Sequence, residues 1–204
     1  MSELLLATTN PGKQRELRRL LAAVPARMVT PREIGLELDV PEPHRTYAEN
    51  ARAKALAYCA ASGRLTVADD SGLEVAALDW GPGVDTAHYG GREVIDKVGH
   101  LLEAVGDATD RRARMVCCVA LGIPNGIEPS VELFTGVVDG EVAREPAGEG
   151  GFGYDPIFLL PEGVTTAQLP EGAKDRISHR GQAVAAAVPR IRELLGTAAR
   201  RVAP

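Results

Sequence analysis

The first twenty residues constrain the fold most, because they combine a short apolar run, the turn-forming stretch ATTNPGK and a polar segment of helical periodicity. An apolar run that ends at turn residues is typical of a buried strand. Asn10 then lies at the N-cap position and Pro11 at the first position of a helix. The apolar residues after them repeat at helical spacing: Leu17, Leu20, Leu21 and Val24. The sequence therefore predicts a strand, a tight turn and a helix.

Two further helices are indicated in the middle of the chain. Thr46 and Glu49 have the spacing of a capping box, and the alanine-rich segment after them runs to Gly63. Residues 65–68 are predicted to form a short strand that leads into Asp-Asp-Ser-Gly. A third helix, closed by Gly106, is indicated by apolar residues at helical spacing: Val94, Val98, Leu101, Leu102 and Val105.

The second half of the chain combines strands with a last helix. Residues 114–123 and 131–142 are predicted to be neighbouring antiparallel strands, and Asp139 with Gly140 favours a tight hairpin turn. Another strand is predicted over residues 157–160. The last helix begins near Ser178, and Pro189 should kink or divide it. Strand-turn-helix units together with a hairpin predict an α/β fold with a mixed sheet.

Composition and charge limit the classes of function. The chain has 204 residues, 45% of them hydrophobic, and no repeat or low-complexity linker, which predicts a single domain over residues 1–204. A formal net charge of -5 argues against a nucleic-acid partner. We expect a cytoplasmic protein, because the first apolar run is too short for a signal peptide or membrane helix. Cys59, Cys117 and Cys118 are expected to be reduced core residues.

The corner ATTNPGK suits an anion. A helix N-terminus offers N–H groups and partial positive charge, Gly12 lets a ligand approach the backbone, and Lys13 adds a full charge. The stretch lacks the spacing of a Walker A loop. It predicts a phosphate site, with an ordinary Asn-Pro-Gly helix cap as the alternative.

The segment VADDSGLEV places Asp69 and Asp70 side by side after an apolar strand. Adjacent carboxylates that are partly desolvated repel each other unless a cation or a donor separates them. Mg²⁺ would relieve that repulsion, because it prefers a few carboxylate oxygens and is commonly shared with substrate phosphates. One carboxylate could also orient or deprotonate a water that attacks phosphorus. The alternative is a turn whose side chains cap backbone N–H groups.

Two segments nearer the C-terminus carry aromatic and basic residues. In GGFGYDPIF, flanking glycines leave Phe152 accessible for stacking on a nucleobase, with Asp155 as an acceptor beside it, whereas Tyr154 is better explained as a buried anchor. In KDRISHRG, a cluster of donors suits a base edge or phosphates: Lys174, Arg176, His179 and Arg180. Solvation at the surface is the alternative for Arg176. Together the four segments fit a nucleoside triphosphate.

Six ordered blocks over almost the whole chain resemble the inosine triphosphate pyrophosphatase, or Ham1, family: ATTNPGKQREL, TYAENARAKA, ADDSGLEVAAL, PGVDTAHYGG, GGFGYDPIF and ISHRGQAV. The resemblance is strongest to the bacterial branch that acts on dITP and XTP. It implies Mg²⁺-dependent hydrolysis of ITP, dITP and XTP to the nucleoside monophosphate and pyrophosphate, by a cytoplasmic homodimer that cleanses the nucleotide pool. It also implies an elongated mixed sheet flanked by helices, with two lobes around a central active-site cleft.

The resemblance also implies a role for each matching residue. Asp70 would be the general base and, with Glu42, a metal ligand, while Ser71 would touch the substrate. The phosphates would be held by Thr8, Thr9, Asn10, Pro11, Gly12, Lys13 and Lys54. The nucleoside pocket would be shaped by Phe152, Gly153, Tyr154, Asp155, Lys174, His179 and Arg180. Donors in that pocket would favour a 6-oxo purine, whose oxygen stands where adenine carries an amino group.

Some positions depart from the family pattern, among them Trp80, His88 and Gln168, and they affect the expected substrate preference rather than the proposed base. Two alternatives stay open. A Maf-like pyrophosphatase would share the architecture and prefer other nucleotides, whereas a nucleotide sensor would bind without hydrolysis. The intact DDSG, Lys13 and Lys54 favour an enzyme.

Overall fold

The computed structural model describes residues 2–90, 96–126 and 128–202, with the backbone alone for residues 197–202. Within them the strands are β1 (Glu3–Leu6), β2 (Arg27–Val29), β3 (Leu65–Val75), β4 (Gly81–Pro82), β5 (Arg112–Ile123), β6 (Ser130–Val142) and β7 (Phe158–Leu159). The helices are α1 (Pro11–Leu20), α2 (Tyr47–Ser62), α3 (Lys97–Val105), α4 (Glu171–Ile177) and α5 (His179–Val202). Val94, the predicted first apolar residue of the third helix, lies outside the described residues.

The strands form a mixed sheet in the order β2-β1-β3-β5-β6-β7, with β4 paired to β3. β1 runs parallel to both of its neighbours, and Leu5 lies opposite Val29 of β2 and Thr66 of β3. β4 is antiparallel to β3, and β7 is antiparallel to β6. Helices flank the sheet, so the predicted mixed α/β class is confirmed.

Contacts between Cα atoms divide the chain into two compact units. Unit 1 consists of the described parts of residues 1–70, 118–135 and 182–204, and unit 2 of the described parts of residues 71–117 and 136–181. The division passes through β3, β5 and β6 and, between Gly181 and Gln182, through the first turn of α5. The single domain and the two lobes around a cleft stay predictions.

The core of unit 1 explains why α2 is rich in alanine. All three leucines of β1 are buried, as are Ala51 and Ala55 on α2. A side chain added at Gly122 of β5 would place its Cβ atom 2.8 Å from the carbonyl oxygen of Ala55. Small residues on both elements therefore allow the helix to pack closely against the strand.

Unit 2 has a separate apolar core built from strand and helix residues. Its buried members include Leu73 and Val75 of β3, Leu101 of α3, and the pair Ile157 and Phe158. The three cysteines of the chain are buried thiols, as predicted. None of the described helices is both long and apolar enough to cross a membrane.

The predicted hairpin turn at Asp139 and Gly140 is wrong, because β6 continues through both residues to Val142. The glycine instead allows a close approach within the sheet. A Cβ atom at Gly140 would lie 2.5 Å from the carbonyl oxygen of Leu159 and 2.9 Å from the ring of Phe158.

Several helix ends agree with the local signals, and two do not. Thr46 caps α2 and Gly63 ends it with a left-handed backbone, as predicted. α1 ends at Leu20, so Val24 is buried by packing rather than by helical periodicity. α5 is one continuous helix with Pro189 inside it, so Pro189 does not divide it, and the alternative of a kink stays a prediction.

Candidate active site

The turn between β1 and α1 is ordered by its own side chains. The Oδ1 atom of Asn10 accepts hydrogen bonds from the backbone N–H groups of Gly12 and Lys13, at 2.8 and 3.2 Å. The Thr8 hydroxyl accepts from the N–H of Asn10 at 3.2 Å. The predicted N-cap is confirmed. Because the cap already satisfies two N–H groups, attraction for an anion depends on the helix dipole and on Lys13.

Parallel pairing brings this turn to the aspartates of β3. Leu6 lies opposite Val67, so β3 continues beyond the end of β1 and Asp69 follows two residues later. The Nζ atom of Lys13 is 3.1 Å from Oδ2 of Asp69, whose side chain is 0% exposed. Thr9 is exposed on the same turn. The first turn of α1 therefore carries the positive charge of Lys13, which the buried carboxylate of Asp69 partly neutralises.

Asp69 and Asp70 lie inside β3, so the alternative of a capping turn is wrong. Asp70 is buried, and its Oδ2 atom accepts a hydrogen bond from Nδ2 of Asn50 at 3.0 Å. Burial raises the pKa of the Asp70 carboxyl, although the charges of Lys54 and Lys13 and the bond from Asn50 oppose the change. A carboxylate with a raised pKa is a stronger base than an ordinary aspartate.

Lys54 connects the acidic residues of unit 1. It lies on α2, and its Nζ atom is 2.8 Å from Oε2 of Glu42, whose side chain is 43% exposed. Burial acts to lower the pKa of the Lys54 ammonium, but the negative charges of Asp69, Asp70 and Glu42 outweigh it and raise the pKa. Three carboxylates and two lysines therefore interact within this unit.

The acidic residues fit a metal ion that takes most of its ligands from water and substrate. Glu42 and Asp70 both act on the ammonium group of Lys54, so they share one neighbourhood. Mg²⁺ is usually bound through one or two carboxylates together with waters and substrate phosphates. In the part of the chain that the structure describes, no group of three or more His, Cys, Asp and Glu side chains is placed to hold a metal. The pair suits Mg²⁺ that arrives with a triphosphate.

Unit 2 contains a second buried ion pair. The Nζ atom of Lys174 is 2.5 Å from Oδ2 of Asp155, and the two side chains are 5% and 3% exposed. Asp155 also accepts from the backbone N–H of Phe152 at 2.7 Å and from the Thr166 hydroxyl at 2.8 Å. Asp155 is thus engaged by protein groups, one of them in the glycine-rich loop.

The aromatic ring of Phe152 lies beside two buried cations. The Nζ atom of Lys174 is 5.4 Å from the ring centroid, and the Cζ atom of Arg180 is 5.6 Å from it. Arg180 also donates from Nη2 to the Ser71 hydroxyl at 2.8 Å. Cations at these distances are attracted to the ring face. The structure therefore brings Ser71, Phe152, Lys174 and Arg180 together in unit 2.

The remaining predicted residues of unit 2 have different surroundings. Tyr154 is a buried anchor, as predicted, and burial together with the neighbouring Tyr89 raises its pKa to about 12. Gly153 is exposed beside it, and His179 is buried at the first residue of α5. Arg176 is exposed, which confirms the solvated alternative for that side chain.

Sequence reasoning gave Asp69 no role of its own and missed Asn50 and Thr166, and the structure connects all three to these groups. Asp69 pairs with Lys13, Asn50 bonds to Asp70, and Thr166 bonds to Asp155. The doubled aspartate was a visible signal for Asp69. Asn50 reaches Asp70 across 20 positions and Thr166 reaches Asp155 across 11, so no local pattern identified these contacts.

One departure from the family pattern, Gln168, has a structural explanation. The Oε1 atom of Gln168 accepts from the backbone N–H of Thr165 at 2.8 Å and completes a capping box. An amide oxygen does this as well as a carboxylate. Trp80 is exposed, and the guanidinium carbon of Arg114 lies 4.9 Å from its ring centroid. His88 is exposed, and nothing in the structure explains its replacement of arginine.

The fold and these groups define a mixed α/β protein in which carboxylates and lysines suit a metal-bound polyphosphate. The family model described as the Ham1 family matches residues 4–190. The chain belongs to the Ham1 family, as the sequence predicts.

Relatives and solved structures agree with this assignment. A dITP/XTP pyrophosphatase of Streptomyces coelicolor is 45% identical over 204 residues, covering 96% of this chain and 100% of that protein. One from Nitrosomonas europaea is 42% identical over 196 residues, covering 95% and 96%. A HAM1 protein structure from Coxiella burnetii has a TM-score of 0.83 at 38% identity, covering 95% of this chain and all of that one.

Proposed function

We propose that the protein hydrolyses ITP, dITP and XTP to the nucleoside monophosphate and pyrophosphate, with Mg²⁺ as cofactor. Its class is that of a nucleotide pyrophosphatase, a hydrolase of phosphoric anhydrides, as the names of its relatives indicate. The observation that carries the finer proposal is the set of interacting charges in unit 1, where Glu42, Asp69 and Asp70 act on Lys54. Such a set supplies both a metal site and cations for a triphosphate.

The phosphates are assigned to the turn after β1 and to the two lysines. Lys13 and Lys54 lie on helices whose positions are held by packing, so their ammonium groups are available close to the carboxylates. A bound triphosphate offers oxygens that can replace Asp69 and Glu42 as their partners. Charge that grows on the leaving pyrophosphate is then stabilised by cations already in place.

Asp70 is the proposed general base. It is buried, its pKa is raised, and Asn50 holds one of its oxygens, which together favour a carboxylate that can take a proton from water. Mg²⁺ bound by Glu42 and Asp70 would supply charge neutralisation at the phosphates.

The nucleoside is assigned to the residues of unit 2. Phe152 offers a half-buried ring for stacking, and Lys174, His179 and Arg180 carry only donors or a titratable ring nitrogen. Donors complement the oxygen at position 6 of hypoxanthine and xanthine, whereas adenine presents an amino group there. These residues therefore support a preference for deaminated purines over ATP.

The test is Asp70→Asn, which keeps the side-chain volume and removes the base. We expect turnover of dITP to fall by about 10²–10⁴-fold, the usual contribution of a general base. Product analysis should identify pyrophosphate rather than orthophosphate from the wild type. Retained turnover in the variant, with nucleotide binding unchanged, would reject Asp70 as the base.

A panel of substrates distinguishes the proposed function from the two alternative functions. Rates with ITP, XTP, GTP and ATP in the presence of Mg²⁺ should rank the two deaminated purines first. Preference for another base would support a Maf-like pyrophosphatase, and tight binding without products would support a sensor. The resemblance to the family also supports a cytoplasmic location and a homodimer. Light scattering of the purified protein would test the homodimer.

A further inference from the structure

Asn50 connects two parts of the proposed metal site through one carboxamide. Its side chain is 1% exposed, and its Nδ2 atom donates to Oδ2 of Asp70 at 3.0 Å and to the backbone oxygen of His44 at 3.3 Å. Its Oδ1 atom accepts from the backbone N–H of His44 at 3.1 Å. His44 lies two residues after Glu42. The amide therefore ties the segment that carries one proposed ligand to the side chain of the other.

The orientation of the Asn50 amide follows from its partners. The N–H of His44 can only donate, so an oxygen must face it, and that choice directs the NH₂ group toward Asp70. The reversed amide would set an N–H against an N–H and a carbonyl oxygen against a carboxylate. The backbone of His44 thus determines that Asp70 receives a donor.

The segment over residues 36–44 has no helix or strand of its own, and one face of α2 holds it. Asn50, Lys54 and Tyr58 are spaced four residues apart and so share that face. Their partners are, in turn, the backbone of His44, the carboxylate of Glu42 and the backbone oxygen of Leu38. Among these three helix residues, Asn50 is the one whose hydrogen bonds also reach Asp70.

We infer that Asn50 is a positioning residue: it sets the placement of the Glu42 segment relative to Asp70 and thereby aligns the two carboxylates proposed to bind the metal. The inference rests on the proposed function. Leucine at this position would match the shape of asparagine and remove all three hydrogen bonds. Tyr58→Phe is the matched control, because it removes one bond to the same segment and leaves Asp70 untouched.

The test measures Mn²⁺ binding by electron paramagnetic resonance in the presence of a non-hydrolysable dITP analogue, because the proposed metal arrives with a triphosphate. Asn50→Leu should weaken Mn²⁺ binding about 10-fold or more, as is usual for residues that orient metal ligands, while Tyr58→Phe should stay within about 2-fold. In an Asp70→Asn background, Asn50→Leu should have a smaller effect, because alignment with the Asp70 carboxylate no longer contributes, although the two bonds to His44 are still lost. For dITP, kcat should fall more than KM rises, since Lys13 is unaffected.

Each result decides the inference. Wild-type affinity in Asn50→Leu, or an equal loss with and without Asp70, would overturn it, and so would a wild-type protein that binds no Mn²⁺. If Asn50→Leu does not fold, Asn50→Ser is measured with the same expectations, because a serine hydroxyl is too short to bridge both partners. If the wild type binds Mn²⁺ but releases no pyrophosphate, the proposed function is rejected. If Asn50→Leu also loses Mn²⁺ binding in that case, the positioning role still stands.

Discussion

The two units each hold buried lysine and carboxylate groups, but they differ in how completely the charges are matched. In unit 2, Asp155 and Lys174 are 3% and 5% exposed, and the carboxylate has further donors from the backbone and a threonine. In unit 1, Asp69, Asp70 and Glu42 face two lysines, and Glu42 is 43% exposed.

This difference separates groups that shape a pocket from groups that exchange partners. Separating a buried ion pair that has several hydrogen bonds costs free energy, because each charge would remain buried without a partner. An acidic cluster with too few cations is stabilised when a divalent metal or a cationic partner arrives. We therefore expect substitution of Asp155 in unit 2 to change mainly stability, and substitution of Asp70 in unit 1 to change mainly activity.

The largest effect on stability is expected from Asp155→Asn. The substitution leaves the buried ammonium of Lys174 without its carboxylate, and removal of one member of such a pair costs about 3–5 kcal/mol. Urea unfolding followed by circular dichroism would measure the change. A decrease in the free energy of unfolding below about 1 kcal/mol, the range of exposed ion pairs, would contradict a buried, fully partnered Asp155–Lys174 pair.

Two glycines beside Asp155 provide a smaller test with its own control. Gly151 has a φ of +72° and a Cβ atom there would lie 2.0 Å from Oδ2 of Asp155, whereas Gly153 has a φ of +63° and open space. We expect Gly151→Ala to cost about 2–4 kcal/mol, from backbone strain plus overpacking, and Gly153→Ala about 1–2 kcal/mol from strain alone. Equal losses would show that Asp155 is not held tightly by the loop.

Asp70→Asn should change stability in the opposite direction from Asp155→Asn. It removes one of three interacting carboxylates in unit 1, so we expect a gain of about 1 kcal/mol, as is common where an active-site group is retained at the expense of stability. The same urea experiment measures it, with turnover of dITP recorded in parallel. A loss as large as that of Asp155→Asn would show that both carboxylates are structural.

The smallest effect concerns alkaline pH. Burial raises the pKa of Tyr154 to about 12, above its ordinary value of 10.0, so the phenol stays neutral in the folded protein when it ionises in the unfolded one. The free energy of unfolding should therefore be unaffected below pH 10 and fall as pH rises through about 12. The tyrosinate absorbance, followed against pH, should lack the ionisation step near pH 12 in Tyr154→Phe and retain it in Tyr58→Phe.

Local signals in the sequence predicted the elements whose stabilising contacts are also local. The cap of α1 depends on Asn10 and the two residues after it, and α2 begins and ends at Thr46 and Gly63 through bonds within a few residues. Such contacts form between near neighbours in the chain, so a short stretch contains the whole explanation.

Signals failed where a distant part of the chain decided the outcome. Asp139 with Gly140 has the composition of a hairpin turn, yet Leu159 and Phe158 lie so close that the position needs a glycine within a strand. Asp69 and Asp70 likewise continue a strand instead of making a turn, because sheet pairing extends β3 to Val75. The backbone bonds of a strand come from other strands, which no local window contains.

The sequence by itself determined the family, the helix caps and the identity of most charged residues at the candidate site, because each of these is recorded in residue types over short spans. Only the tertiary structure decided which charges meet. Lys13 pairs with Asp69 and Lys54 with Glu42, and Asn50 reaches Asp70 across 20 positions of chain. Electrostatic and hydrogen-bond energies depend on distances of a few ångströms, and these distances arise when α1, α2 and the segment that carries Glu42 meet one another and strand β3.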